Sequence, residues 1–247
     1  MLINNQRYAE LACCDYDDEL LKDEPIIYSR THTVKAQFSK LKRFGPCKLI
    51  TSFSDSVVTQ EMADKLPKNV SHWYSNNVEC THPRVHAIPI GFAYIAEREA
   101  ALHDALSKPM PRNELCYMNF TRWLCKKPNP REGLYERFGG FDWMTTKGGA
   151  SFISVPASEF YTDLATHKYC ISPPGAGPDC HRHWEAIALG CIPIVLRSKA
   201  LDVLQGFPHL IVDDWGEVTE ELLSHHVPLF DNYSDRLHIE YWKDVIQ

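Results

Sequence analysis

The stretch Tyr169–Leu196, YCISPPGAGPDCHRHWEAIALGCIPIVL, decides how the chain is read. Tyr169 to Ser172 is a short apolar run closed by Pro173-Pro174, and proline cannot continue a central strand. Gly175 and Gly177 can take backbone conformations barred to other residues and let a ligand approach closely. Asp179 is a good N-cap for a helix. Gly190 suits the position just past its end, and Ile192 to Leu196 is a β-branched run fit for a buried parallel strand. The stretch therefore predicts strand, loop, helix, tight turn, strand.

His181, Arg182 and His183 fall in the first helical turn, where the macrodipole disfavours cations. An anion bound at that end resolves the conflict, because free N–H groups, glycine backbone and Arg182 would converge on a phosphate. Ser172, Gly175, Gly177, Asp179 and His181 would shape the loop around it, with loop N–H groups as donors. Glu185 lies three residues past Arg182 on roughly the same face. It could pair with Arg182 or accept hydrogen bonds from a ribose diol. A zinc site on Cys180, His181 and His183 is disfavoured, since residues two apart on a helix diverge by about 200°.

Working outward, residues 25–110 alternate strand and helix. The runs PIIYS (25–29), CKLITSF (47–53), VSHWY (70–74) and VHAIPI (85–90) read as strands. Helical patterns cover 34–44, 56–66 and 95–106. The proline-broken segment 107–113 marks a boundary or hinge. Beyond it the alternation resumes: strand 115–120, helix 131–138, strand 141–144, helix 158–167, then the opening stretch. A short helix 201–206, strand 210–212, helix 218–226 and a final helix 235–246 follow, the last with Leu237, Tyr241 and Val245 on one stripe. The fold class expected is α/β: two Rossmann-like domains, 1–110 and 111–247, facing a central cleft, with the last helix packing back on the first domain. Ligands in such sheets bind at the carboxyl ends of strands, so the loops after Phe53, Phe120 and Ser172 should line it.

Composition narrows the partners. The chain has 247 residues and a formal net charge of −6, with no basic tract, which argues against nucleic acid. No segment approaches the roughly 18–20 apolar residues of a membrane span. The acidic N-terminus lacks a signal-peptide pattern. Nine cysteines, odd in number and spread without a framework, point to a reducing, cytoplasmic setting.

The segment PPGAGPDCHRHWEAIALGCIPIV (173–195) resembles the C-terminal signature of exostosin-like glycosyltransferases. NNVECTHPRVHAIPIGF (76–92) looks like the segment closing the N-terminal domain of related microbial and viral transferases, and CYMNFTR (116–122) like the strand and basic loop opening their second half. The resemblance covers residues 45–215. It implies a GT-B fold and a metal-independent transferase of the soluble microbial or virus-encoded type, moving a sugar from a nucleoside-diphosphate-sugar, preferably a UDP-sugar, to a hydroxyl of a glycan or glycoprotein acceptor. By the same resemblance Arg182 would meet the donor diphosphate and Glu185 the ribose.

Arg122, Lys127 and Arg131 form a second basic cluster for the donor phosphates, Arg122 by its place at a strand end. An acceptor hydroxyl needs a base if the reaction inverts. Asp55, after a first-domain strand, is the candidate, with His32 as the alternative and Glu79 a weaker one. Competing readings are a non-catalytic nucleotide- or glycan-binding module and a nucleotide enzyme outside sugar transfer. A dinucleotide enzyme is disfavoured, because no G-x-G-x-x-G fingerprint is present.

Overall fold

The structure, a computed structural model, describes residues 1–12, 24–122, 124, 128–149 and 155–247. It is a mixed α/β protein built on two parallel sheets. The first half runs α1 (Asn5–Glu10), β1 (Ile26–Arg30), α2 (Val34–Leu41), β2 (Cys47–Ser52), α3 (Gln60–Asp64), β3 (Val70–Ser75) and β4 (Val85–Ala87). Its four strands lie in simple order β1-β2-β3-β4, all parallel. Helix α4 (Ala96–Leu106) leads into the second half: β5 (Glu114–Met118), α5 (Leu134–Phe138), β6 (Met144–Thr146), α6 (Ala157–Thr166), β7 (His167–Ile171), α7 (His181–Ala188), β8 (Ile192–Leu196), β9 (Leu210–Val212), α8 (Glu220–His225) and α9 (Ile239–Ile246).

The second sheet has the order β6-β5-β7-β8-β9. After β5 the chain places β6 on one side and then crosses back to lay β7 on the other. The order therefore reverses between β5 and β7, and a crevice opens outside the carboxyl ends of strands at such a switch point. The loops that leave β5 and β7 there begin at Asn119 and Ser172.

Among the described residues three clusters form the core. One lies between the first sheet and α2 and α3, around Trp73, Leu49 and Phe38. A second packs Met118, Ile171 and Ile194 against Phe138 and Trp215. The largest is continuous between the halves: Ile50 and Tyr74 of the first sheet share it with Tyr117, Cys170, Trp184 and Trp242. The end of α9 reaches the first sheet, where Lys48 Nζ donates to the Ile246 carbonyl (2.9 Å) and Tyr74 Oη to that of Val245 (3.3 Å).

Several element bounds depart from the sequence expectation. The helix expected over 56–66 shrinks to α3, because Val58 bridges to Val78 and the Thr59 side chain caps Met62 N–H. The helix expected from residue 131 starts at Leu134, after Gly133 at φ +74°. The strand expected at 141–144 lies at Met144–Thr146. The terminal stripe is also out of phase. Extended backbone at His238 breaks the helix, so Ile239, Trp242 and Ile246 face inward, while Tyr241 and Val245 are exposed. Five of the described cysteines are buried, and Cys180 is half-buried. Among the described residues no helix is long and apolar enough to cross a membrane.

Candidate functional site

A cavity of ≈ 400 Å³ opens at the β5/β7 switch point. This falls within the roughly 300–1,000 Å³ usual for small-molecule sites. Its walls come from the β5 exit (Asn119, Phe120, Thr121), from Arg131, from the first turns of α7 (Cys180, His181, Arg182, Glu185), from Gly148 and Gly149, and from the 93–98 segment that enters α4. Gly148 and Gly149 have φ of +71° and +85°, and a Cβ at Gly149 would stand 2.6 Å from the Tyr135 ring. Only glycine lets that wall lie so close.

Phe120 organises the cations. Arg131 and Arg182 bring their guanidinium carbons to 5.6 and 5.4 Å from its ring centroid, within cation–π range. Tyr135 fixes the loop behind them: its hydroxyl accepts from Phe120 N–H (2.9 Å) and donates to the Phe120 carbonyl (2.7 Å). Arg131 is buried and donates to the carbonyls of Pro174 (3.0 Å) and Thr121 (2.8 Å). Arg182 reaches the Pro173 carbonyl (3.3 Å). Neither guanidinium has a carboxylate partner among the described residues. Burial, and after it the nearby Arg182 charge, pulls the Arg131 pKa down to about 10, so it remains a cation at neutral pH.

The other charges of the first turn resolve differently from the sequence expectation. His183 is fully buried, and burial first holds its pKa down to about 4. Its Nε2–H donates to the Pro178 carbonyl (3.2 Å) and its Nδ1 accepts from the Ser172 hydroxyl (2.7 Å), the pattern of a neutral ring. His181 Nδ1–H donates to the Gly91 carbonyl (2.7 Å) and lines the cavity. Arg182 is thus the fixed cation of the turn, and His183 adds no charge to it at neutral pH.

Asp179 is not the N-cap. Cys180 holds that position with no side-chain capping bond, and Asp179 is 1% exposed. Its carboxylate accepts from Ile90 N–H (2.7 Å) and from Trp184 Nε1–H (2.8 Å), while its own N–H donates to Asn77 Oδ1 (2.9 Å). Asp179 therefore ties the segment after β4 to α7 and does not line the cavity. Burial raises its pKa to about 7, against the lowering pull of His183 and the two hydrogen bonds.

The loop glycines are also used otherwise than expected. Neither Gly175 nor Gly177 has a positive φ. Gly177 is small because a Cβ there would stand 2.7 Å from Asn77 Nδ2, whereas at Gly175 the nearest atom would be 3.5 Å away. Two of the N–H groups expected to face a ligand are used within the protein: Ser172 N–H donates to the Ile194 carbonyl (2.9 Å) and Gly175 N–H to that of Gly177 (3.0 Å). Ser172, with its hydroxyl on His183, is buried beneath the site.

Glu185 pairs neither with Arg182 nor with solvent. It is bound by Arg98 and Tyr161, two residues that no local sequence pattern marks. Arg122 turns away from the cavity: its guanidinium lies 4.6 Å from the Tyr135 ring centroid and pairs with exposed Glu136. Lys127 lies outside the described residues, as does Lys126. Asp55 and His32 are exposed beyond strands β2 and β1, His32 Nδ1 lies 3.2 Å from Ser54 Oγ, and neither residue lines the cavity. The loop after Phe53 likewise contributes none of its described residues. Glu79 accepts from Ser198 Oγ. Cys180 Sγ comes within 3.5 Å of His183 Nε2, but the described residues hold no cluster of three metal-ligating side chains.

No protein-family model matches the chain, and no curated protein matches it. Among solved structures, one described as "Crystal structure of GtfA/B complex" is similar with a TM-score of 0.39 and 12% identity, over 83% of this chain and 49% of that one. The chain thus spans about half the length of the chain it matches there.

Proposed function

We propose that this cavity holds the diphosphate of a nucleoside-diphosphate-sugar, and that the chain is a glycosyltransferase of the exostosin-like, GT-B type. The observation that carries the first part is the pair Arg131 and Arg182. Two guanidinium groups share one aromatic ring beside the N-terminus of α7, which has no side-chain cap, and no carboxylate among the described residues neutralises them. Gathering two cations in a partly desolvated site is unfavourable unless an anion joins them.

In transfer, the bond from the anomeric carbon to the β-phosphate oxygen breaks, and charge grows on the departing diphosphate. Donors already aimed at that charge lower the barrier, because they need no reorganisation as it develops. Arg182 and Arg131 would do this, with the first-turn N–H groups of α7. The acceptor would be a hydroxyl of a glycan. The sugar-transfer half of this reading is supported by the resemblance of residues 173–195 to the exostosin-like signature, and the preference for a uridine donor comes from the same source.

A binding module without catalysis is favoured by one observation, that neither Asp55 nor His32 lines the cavity. Titration calorimetry with UDP and GDP, followed by a donor-hydrolysis and transfer assay, separates the two. Nucleotide binding with turnover supports the transferase. Binding without either hydrolysis or transfer supports the module, and no binding of either nucleotide refutes both.

A further inference from the structure

His181 opens α7, half-buried, with its ring on the cavity wall. Its Nδ1–H donates to the Gly91 carbonyl at 2.7 Å. The segment that carries this carbonyl is held in place. Gly91 has a φ of +69°, a Cβ there would overlap the Ile3 carbonyl, and Phe92 N–H donates to that Ile3 carbonyl at 2.8 Å. A carbonyl can only accept, so in the neutral ring the proton sits on Nδ1 and Nε2 carries the lone pair. Nε2 has no partner among the described residues, yet it is not one of their buried unpaired atoms. It is therefore open to the cavity that the ring lines.

The other titratable groups on the described wall leave it unrivalled as a proton acceptor. Arg98, Arg131 and Arg182 can only donate. Glu185 is 1% exposed and gripped by Arg98 and Tyr161. Cys180 turns its sulfur to His183 Nε2, 3.5 Å away. Position matters as well. Consecutive helical residues diverge by about 100°, and the first two of α7 part accordingly. Arg182 reaches the Pro173 carbonyl and the Phe120 ring, while His181 reaches the segment after β4. An anion held by the two arginines and a hydroxyl held at His181 would thus meet a sugar from different sides.

We infer that His181 Nε2 is the general base of the transfer, a role expected of Asp55 or His32, neither of which lines the cavity. The inference rests on the nucleoside-diphosphate-sugar reading above. The acceptor oxygen bonds to the anomeric carbon as its proton passes to Nε2. The bond from that carbon to the β-phosphate oxygen breaks and leaves its electron pair on the diphosphate. Imidazolium and departing anion form together, so the charge that grows on each is opposed within one cavity. The proton returns to solvent after the products leave. Attack from the side opposite the diphosphate inverts the anomeric centre. A base whose other nitrogen is fixed by a third group matches the arrangement that activates nucleophiles elsewhere, with the Gly91 carbonyl as the orienting group.

The test pairs binding with turnover in the intact chain. Calorimetry reads UDP affinity, and release of the nucleotide reads hydrolysis of UDP-xylose, UDP-galactose, UDP-glucuronic acid, UDP-N-acetylglucosamine and GDP-mannose, with water as the acceptor. His181→Asn places an amide nitrogen where Nδ1 lies, so it keeps a donor for Gly91 and deletes Nε2. It should cut kcat by at least about 100-fold, the low end for a general base, with UDP affinity within about threefold of the wild type. In His181→Ala, which vacates the space of the ring, free imidazole should raise the residual rate by about tenfold or more, a rescue that a structural prop does not show. That variant decides the matter if His181→Asn fails to fold. Undiminished turnover in His181→Asn overturns the inference, and so does a folded His181→Ala that imidazole leaves unmoved. A loss of UDP affinity equal to the loss of turnover makes His181 a phosphate ligand and also overturns it, as does a released sugar of retained anomeric configuration in proton NMR. In all these cases the transferase reading survives. A wild type that binds UDP and hydrolyses none of these donors overturns that reading and this one together.

Discussion

Replacing Asp179 by Asn should change how stability depends on pH, by an amount the structure fixes. Asp179 titrates near 3.8 when unperturbed and at about 7 in the fold, pushed up chiefly by burial. Between those values the folded state holds a proton that the unfolded chain has lost. Stability from this group therefore falls as pH rises, by about 1.4 kcal/mol per unit. His183 runs the other way. Its ordinary value is 6.5 and burial lowers it to about 4, so in that window the unfolded chain holds the extra proton and stability rises with pH. From about pH 4 to 6.5 the two slopes nearly cancel in the wild type. Asp179→Asn removes the falling slope and exposes the rising one. The stability of the variant minus that of the wild type should increase by about 3 kcal/mol between about pH 4.5 and 6.5, two units at the slope above. A single amide oxygen must now serve donors that used two carboxylate oxygens, Ile90 N–H and Trp184 Nε1–H. This costs about 1–3 kcal/mol at every pH, so the variant is the weaker at the acid end and gains on the wild type toward neutrality. Denaturant unfolding of both proteins across that range gives the difference directly. A difference that does not change with pH would refute the assignment of a proton to Asp179.

Arg182→Ala should weaken UDP or GDP binding by more than about 1.5 kcal/mol in the folded protein, read by calorimetry, and Arg131→Ala by a similar amount. Unchanged affinity in both would remove the phosphate role from this pair. Gly177→Ala should lower stability by about 1–3 kcal/mol because its new methyl meets Asn77, while Gly175→Ala, with ordinary contact distances, should be nearly neutral; thermal unfolding compares them. EDTA should leave nucleotide binding and any transfer activity intact, since arginines supply the charge. The chain carries one D-x-D sequence, Asp15-Tyr16-Asp17, outside the described residues, and abolished activity that returns with added divalent ion would assign it or another site a metal.

The sheets were legible because their strands announce themselves locally. Runs such as CKLITS and IPIVL are apolar, β-branched and closed by turn residues, and both became strands with buried centres. Arg182 stood out as a cation in a first helical turn and Arg131 as part of the basic cluster after β5, and both line the cavity. What local pattern could not supply was partnership. Asp179 looked like a cap because its neighbours in sequence suggested one, yet its bonds reach to Asn77 and Ile90. Arg98 sits in an alanine- and glutamate-rich helix with nothing to mark it, and its partner lies 87 residues away. Arg122 was misjudged because Glu136 and Tyr135 claim it from the next helix. The pair Gly148-Gly149, set just past a strand, was the one unused local signal for the cavity wall.

The core that Ile50 and Tyr74 share with Trp184 and Trp242 has a mechanical consequence. Swinging the two sheets apart would bare that apolar interface and unseat the Asn77–Asp179 and Asp179–Ile90 bonds at once. At about 25 cal/mol per Å², even a few hundred Å² of exposed apolar surface opposes such a swing by several kcal/mol. The molecule is accordingly a stiff template, and its ligand must fit an aperture already cut. Solution scattering with and without saturating UDP should return the same radius of gyration, with the response confined to the side chains that rim the opening.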